Sequence, residues 1–124
     1  MNAALRLAAI ALLSACSVEP GATSTPPPPV TVVLEHSAFV PPGGATLDGI
    51  PALTVPVDTT VTWTNEDAID HTATEYQAGF PKPEALFDLA LEPGASASFT
   101  FTVTGEYEVG CVPHPAMQMI VVVE

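Results

Sequence analysis

The chain has 124 residues, room for one domain, and its 14 acidic side chains face only two basic ones, Arg6 and Lys82. So acidic a chain has almost nothing with which to neutralise phosphate, which excludes nucleic acid and an electrostatically bound anionic membrane as partners. Cysteine occurs twice, as Cys16 and Cys111.

Residues 1–15 read as an export signal. Arg6 precedes Leu7-Ala8-Ala9-Ile10-Ala11-Leu12-Leu13, an apolar run too short to span a bilayer but of signal-peptide proportions. The run closes in Leu13-Ser14-Ala15-Cys16, which resembles the lipobox of bacterial lipoproteins. That resemblance implies cleavage before Cys16, lipid on its thiol, and anchorage to a bacterial membrane on the periplasmic or extracellular face. Residues 16–29 form a tether ending in four prolines, Pro26 to Pro29. Such a segment buries no apolar area and reaches roughly 40 Å at about 3 Å per residue. Loss of Arg6 with the signal leaves Lys82 as the one basic side chain. An acid excess of this kind serves as a solvated face or steers encounter with a basic partner.

Residues 30–124 carry the folded domain, and their pattern is that of strands. Val30 to Leu34 is β-branched and apolar, and Pro41-Pro42-Gly43-Gly44 opens a loop expected to last to Ala52. Leu53-Thr54-Val55 resumes the strand pattern, and Thr59-Thr60-Val61-Thr62-Trp63-Thr64 alternates with period two, sending Val61 and Trp63 inward. Residues 96–103 do the same with Phe99, Phe101 and Val103, between turns at Pro93-Gly94 and Thr104-Gly105. No helical period and no internal repeat occurs. The reading is an all-β class, a Greek-key β-sandwich of about seven to eight strands. Tyr76, Phe80 and Phe87, in the stretch 73–87, are expected to pack in the core or within their loop.

The chemistry lies near the end, where Cys111-Val112-Pro113-His114-Pro115-Ala116-Met117 spaces a thiol, an imidazole and a thioether as Cys-x-x-His-x-x-Met. Thiolate and thioether are soft ligands, imidazole suits copper, and a His₂Cys set with a weak methionine is the blue-copper arrangement. Zinc is the poorer fit, since thioether is not among its usual ligands. A second histidine is needed, and His36 and His71 are the ones left. His71 is expected in the loop that follows the strand ending at Asn65; His36 precedes the Pro-Gly loop and reads as a surface residue. A lone exported thiol has no partner to pair with, and a bound metal would protect Cys111.

Val61-Thr62-Trp63-Thr64-Asn65, the following His71, the Pro93-Gly94 turn, Gly105-x-Tyr107 and the closing Cys-x-x-His-Pro-x-Met together resemble the plastocyanin/azurin branch of the cupredoxins, over residues 30–124. The resemblance implies two packed sheets holding one copper at one end. His71 would be the first imidazole, Cys111 the thiolate, His114 the second imidazole and Met117 the axial thioether. Met117 and Met119, six and eight residues after Cys111, both match spacings used in the family. Pro115 and the full terminal strand left after Met117 favour Met117 over Met119.

The implied function is a type 1 blue copper protein passing single electrons between redox partners outside the cytoplasmic membrane, as a monomer and not an enzyme. A copper storage, delivery or resistance protein on the same fold is the alternative. Two departures stand out. Family members often tie their ligand loops together through Asn after the first histidine and Ser or Thr after the cysteine; Thr72 and Val112 stand there, so a weakened or absent link is expected. Plastocyanins also carry an aromatic side chain just before the cysteine, where this chain has Gly110.

Overall fold

A computed structural model of the chain describes residues 25–124. The predicted signal, Cys16 and the first part of the tether lie outside the described residues; residues 25–29 carry no regular structure. Eleven strands follow: β1 Val30–Glu35, β2 Ala38–Val40, β3 Thr46–Leu47, β4 Ile50–Val55, β5 Thr59–Asn65, β6 His71–Gln77, β7 Phe80–Pro81, β8 Asp88–Leu91, β9 Ser96–Phe101, β10 Gly105–Gly110 and β11 Gln118–Val123. One sheet runs β9-β5-β1-β2, and the other β3-β4-β11-β10-β6-β7 with β8 also paired to β6. The β1–β5 and β4–β11 pairs are parallel. Eight of these strands have four residues or more, in line with the expected number; the other three are short additions of two or three residues.

Alternation accounts for the sandwich. Along β5, Val61, Trp63 and Asn65 are buried while Thr60, Thr62 and Thr64 are not. Those threonines face β9 and form three cross-strand hydroxyl pairs, Thr60–Thr100, Thr62–Ser98 and Thr64–Ser96, at 2.7–2.8 Å. Each such pair contributes a few tenths to about 1 kcal/mol. The inward set from both sheets forms one cluster: Val32, Leu34, Val61, Trp63 and Phe101 from the smaller sheet meet Ala73, Val109, Met119, Val121 and Val123 from the larger. Cys111 and Met117 belong to that same cluster, so the candidate metal ligands grow out of the core.

Four sequence expectations are corrected. The stretch from Pro41 to Ala52 is not all loop: β3 and β4 pair as a hairpin, Thr46↔Pro51 and Leu47↔Ile50. Its turn is Asp48-Gly49, both at positive φ (52° and 82°), the Asp-Gly pairing that two-residue hairpins favour. Val103 is 64% exposed rather than inward. β9 stops at Phe101 because its partner β5 begins at Thr59, opposite Phe101, and the chain has already bent away at Asp58 (φ 73°). Third, His71 sits at the head of β6 rather than within a loop. The stretch 73–87 also divides: Tyr76 and Phe87 are buried in the packing, but Phe80 is 73% exposed. Glu75 explains the return of Phe87, because its buried carboxylate accepts the Leu86 N–H at 2.8 Å and the Lys82 ammonium at 3.3 Å.

Candidate metal centre

Three strand ends meet at one end of the sandwich: the close of β5, the head of β6 and the close of β10. Between the first two, Asn65 shapes the loop. Its side-chain oxygen accepts the Asp67 N–H at 2.9 Å, and its amide donates to the Ile69 and Leu91 carbonyls at 2.8 Å each. This side-chain turn two residues long is what Asn does well, and here the residue is fully buried. The loop so fixed delivers His71, 1% exposed, beneath the end of β10. On the other side, Cys111 continues β10 and two successive turns follow, His114 N–H to the Cys111 carbonyl at 3.2 Å and Met117 N–H to the His114 carbonyl at 2.9 Å. Prolines 113 and 115 stiffen this loop by fixing φ.

Among the described residues, His71, Cys111 and His114 form a cluster able to hold a metal ion. His71 Nδ1 lies 3.1 Å from His114 Nδ1, and each of these nitrogens lies 3.6 Å from Cys111 Sγ. A point about 2.0–2.1 Å from both nitrogens and about 2.3 Å from the sulfur, the lengths of metal bonds to imidazole and thiolate, exists just off the plane of that triangle. Cys111 and His71 are buried, whereas His114 keeps part of its ring at the surface. Two imidazole nitrogens and a thiolate sulfur converging on one point, with a thioether-bearing loop next to them in sequence, fit copper.

The sulfur is not left to the metal-facing side alone. Thr72 donates its backbone N–H to Cys111 Sγ at 3.3 Å. Its hydroxyl oxygen accepts the Val112 N–H at 3.0 Å. The expected loss of the link between the two ligand loops is therefore overturned: Thr72 makes it through a side-chain oxygen on a backbone N–H, needing no polar side chain at Val112. The chain of donors continues outward, with the Thr72 and Thr74 hydroxyls 2.8 Å apart and Thr74 donating to Asp88 at 2.8 Å. Asp88 thus sets the direction of the whole hydroxyl relay.

The two candidate methionines are in different surroundings. Met119 is on the inner face of β11, and its sulfur accepts the Trp63 indole N–H at 3.5 Å. Met117 is buried, 3% exposed, in the ligand loop itself. His36 is exposed at the β1–β2 turn and is not a member of the cluster; its backbone N–H donates to Asp67 at 2.7 Å. Asn65, Asp67 and Tyr76 are site neighbours that residue chemistry alone did not single out. The Asn-x-Asp spacing before the histidine was the available signal for the first two. Tyr76 has none: its ring lies where a side chain at 110 would project, with ring carbons 2.5–2.6 Å from the position of a Cβ on Gly110. The aromatic group beside the cysteine is thus supplied by the neighbouring strand. Burial, and then the charges of Cys111 and Asp88, hold the Tyr76 phenol above its ordinary pKa. The Ser37 N–H and the bond to His71 hold the Asp67 carboxyl below the usual range.

The model of the family described as copper binding proteins, plastocyanin/azurin family, matches residues 49–124. Amicyanin of Paracoccus denitrificans is 40% identical over 74 residues, which cover 60% of this chain and 56% of that protein. The match therefore spans little more than half the length of that relative. Among solved structures, a copper(I) form of a methionine-to-alanine variant of amicyanin aligns with a TM-score of 0.60 at 32% identity, over 77% of this chain and 81% of that one. An oxidised proline-to-alanine variant of amicyanin aligns over the same shares with a TM-score of 0.61 at 32% identity.

Proposed function

Because the chain belongs to the plastocyanin/azurin family of copper-binding proteins, we propose that it is a type 1 copper protein that carries single electrons between two redox partners. The observation that carries this reading is the triangle of His71 Nδ1, His114 Nδ1 and Cys111 Sγ, with edges of 3.1 and 3.6 Å. These three residues would hold the ion and Met117 would be the axial thioether. The engagement of the Met119 sulfur by Trp63 supports that choice. Bound copper, stable in two oxidation states under such mixed ligands, supplies the redox change. The protein's own part is to keep the ligands still: the Thr72 N–H on Sγ and the two turns after Cys111 oppose movement.

Electron exchange would pass through the partly exposed His114, whose loop also carries exposed Val112, Pro113, Pro115 and Ala116. An apolar contact of this kind permits brief docking, and charge sets the rate of encounter. Lys82 is bound to Glu75, so the surface offers carboxylates to a partner, and the fitting partners are basic-surfaced redox proteins. The lipobox-like run and proline tether support export and attachment through lipid on Cys16, with the folded domain acting as a monomer and not an enzyme. Copper titration tests the reading. One equivalent of Cu(II) should turn the purified protein intensely blue, and reductant should bleach it reversibly. A protein that binds Cu(I) and stays colourless with Cu(II) would belong to copper storage or delivery instead. Cys111→Ser should remove the colour while the fold persists.

A further inference from the structure

Asp67 stands at a junction that the ligand set does not explain. Its carboxylate accepts three N–H groups: His36 at 2.7 Å, Ser37 at 2.9 Å and the His71 ring Nε2 at 2.7 Å. The side chain is only 17% exposed. Its own N–H is fixed in turn by Asn65. The first two donors belong to the β1–β2 turn of the smaller sheet, and the third to the head of β6 in the larger one. Asp67 therefore bridges the two sheets at the metal end.

Both ends of the bridge are unusual. Glu35 pairs with Ala38, so His36 and Ser37 are the two central residues of a tight hairpin, and both take positive φ, 54° and 53°. Such a turn prefers Asn-Gly, because L side chains disfavour that backbone region. Conformations of this kind persist where surroundings over-determine them, and the two bonds to Asp67 do so. At the other end, an ionised carboxylate can only accept. It thereby requires a proton on His71 Nε2, so that in the neutral ring Nδ1, the atom facing Cys111 Sγ and His114, carries none.

We propose that Asp67 is a positioning residue for the metal centre, which sets the tautomer and ring orientation of His71 and raises the basicity of its metal-facing nitrogen, using the His36-Ser37 turn as its anchor. The proposal rests on His71 being a copper ligand. Carboxylates behind ligating histidines act this way, and their removal typically lowers metal affinity by 10- to 100-fold. The more basic nitrogen favours Cu(II) over Cu(I). If Asp67→Asn lowers Cu(II) affinity tenfold and leaves Cu(I) unchanged, the potential rises by about 59 mV, the one-electron equivalent of a factor of ten.

The test uses Asp67→Asn with and without His36→Asn/Ser37→Gly. The turn substitutions keep the backbone donors and supply the residues that the hairpin prefers, so they restore folding independently of Asp67. Two quantities are read: the potential of the copper-loaded protein, and the His71 tautomer of the metal-free protein by nitrogen NMR. We expect a single Nε2–H tautomer in the wild type, a mixed population in Asp67→Asn, and a raised potential that the turn substitutions do not reverse. The turn substitutions alone should leave both unchanged. An unaltered tautomer and potential in the repaired Asp67→Asn protein would overturn the proposal, and so would full recovery of the potential by the turn substitutions. A wild type that never turns blue would instead defeat the copper reading, while the metal-free tautomer still decides the role of Asp67.

Discussion

Gly110→Ala is the smallest change that probes the ground beneath the cysteine. The backbone does not object, since Gly110 is not among the residues at positive φ. The obstacle is Tyr76, whose ring carbons lie 2.5, 2.6 and 2.6 Å from the new Cβ. Carbon atoms rest about 3.5–4.0 Å apart, so ring or strand must give by about 1 Å. Tyr76 is only 6% exposed and pairs opposite Glu108 within the sheet, which leaves two ways to yield. Accommodating the methyl by strain costs about 1–3 kcal/mol. Swinging the ring into water forfeits burial of similar worth, about 1.5–3 kcal/mol. We therefore expect a loss near 2 kcal/mol, or roughly 10 °C in melting temperature for a domain of this size. Urea and thermal unfolding of the metal-free protein, followed by fluorescence of the single, fully buried Trp63, would measure it. The cost should largely vanish in a Tyr76→Ala background, because the cavity accepts the methyl; a coupling of about 2 kcal/mol is the signature. A loss under about 0.5 kcal/mol, or one equal in both backgrounds, would refute the reasoning.

Three further outcomes are expected. Met117→Leu should keep the blue colour and raise the potential, because loss of a weak thioether disfavours Cu(II); Met119→Leu should leave the potential alone and cost about 1 kcal/mol through the lost Trp63 bond. Voltammetry giving the reverse ranking would transfer the axial role to Met119. Cys16→Ala should move the protein from membranes to the soluble exported fraction, and native protein with an unmodified Cys16 by mass spectrometry would defeat the anchor. The raised Tyr76 pKa means stability that is complete below the unfolded phenol value near 10 and declines as pH rises beyond it. Tyr76→Phe should therefore flatten the alkaline part of the stability profile, and equal slopes for both proteins between pH 9 and 11 would count against it.

Much of the sandwich was legible because burial follows period two. Val61 and Trp63 are inward as their alternation demands, and the β9 threonine and serine partners explain why the outer face is polar. Val103 misled because parity persists in sequence after pairing has ended; only the start of β5 at Thr59 tells where β9 must stop. The His71, Cys111 and His114 convergence was legible for a different reason: residue types that bind soft metal are scarce here, so spacing leaves few combinations. Thr72 was misread because the expected link was side chain to side chain. Any residue but proline offers a backbone N–H at 112, so the valine side chain there carries no information about whether the loops are joined. Tyr76 was illegible at the site for a geometric reason, since its neighbour Gly110 is on another strand and absence of a side chain does not say what fills the space.

These ties share a design that bears on electron transfer. Each candidate ligand is held by hydrogen bonds of its own, made by its backbone or its side chain. His71 is gripped at Nε2 while Nδ1 faces inward. Cys111 is gripped through its carbonyl, which accepts from His114, and its sulfur takes the Thr72 N–H from the strand alongside. Met117 is gripped at its backbone N–H by the His114 carbonyl. The restraints come from both sheets: Asp67 reaches the β1–β2 turn, and Thr72 reaches through Thr74 to Asp88 on β8. A change of charge at the centre would therefore meet ligands held by bonds it need not break. Little nuclear movement would then accompany gain or loss of an electron by a bound copper. That is the property a carrier needs, and one that a copper-releasing protein, whose ligands must let go, would not benefit from.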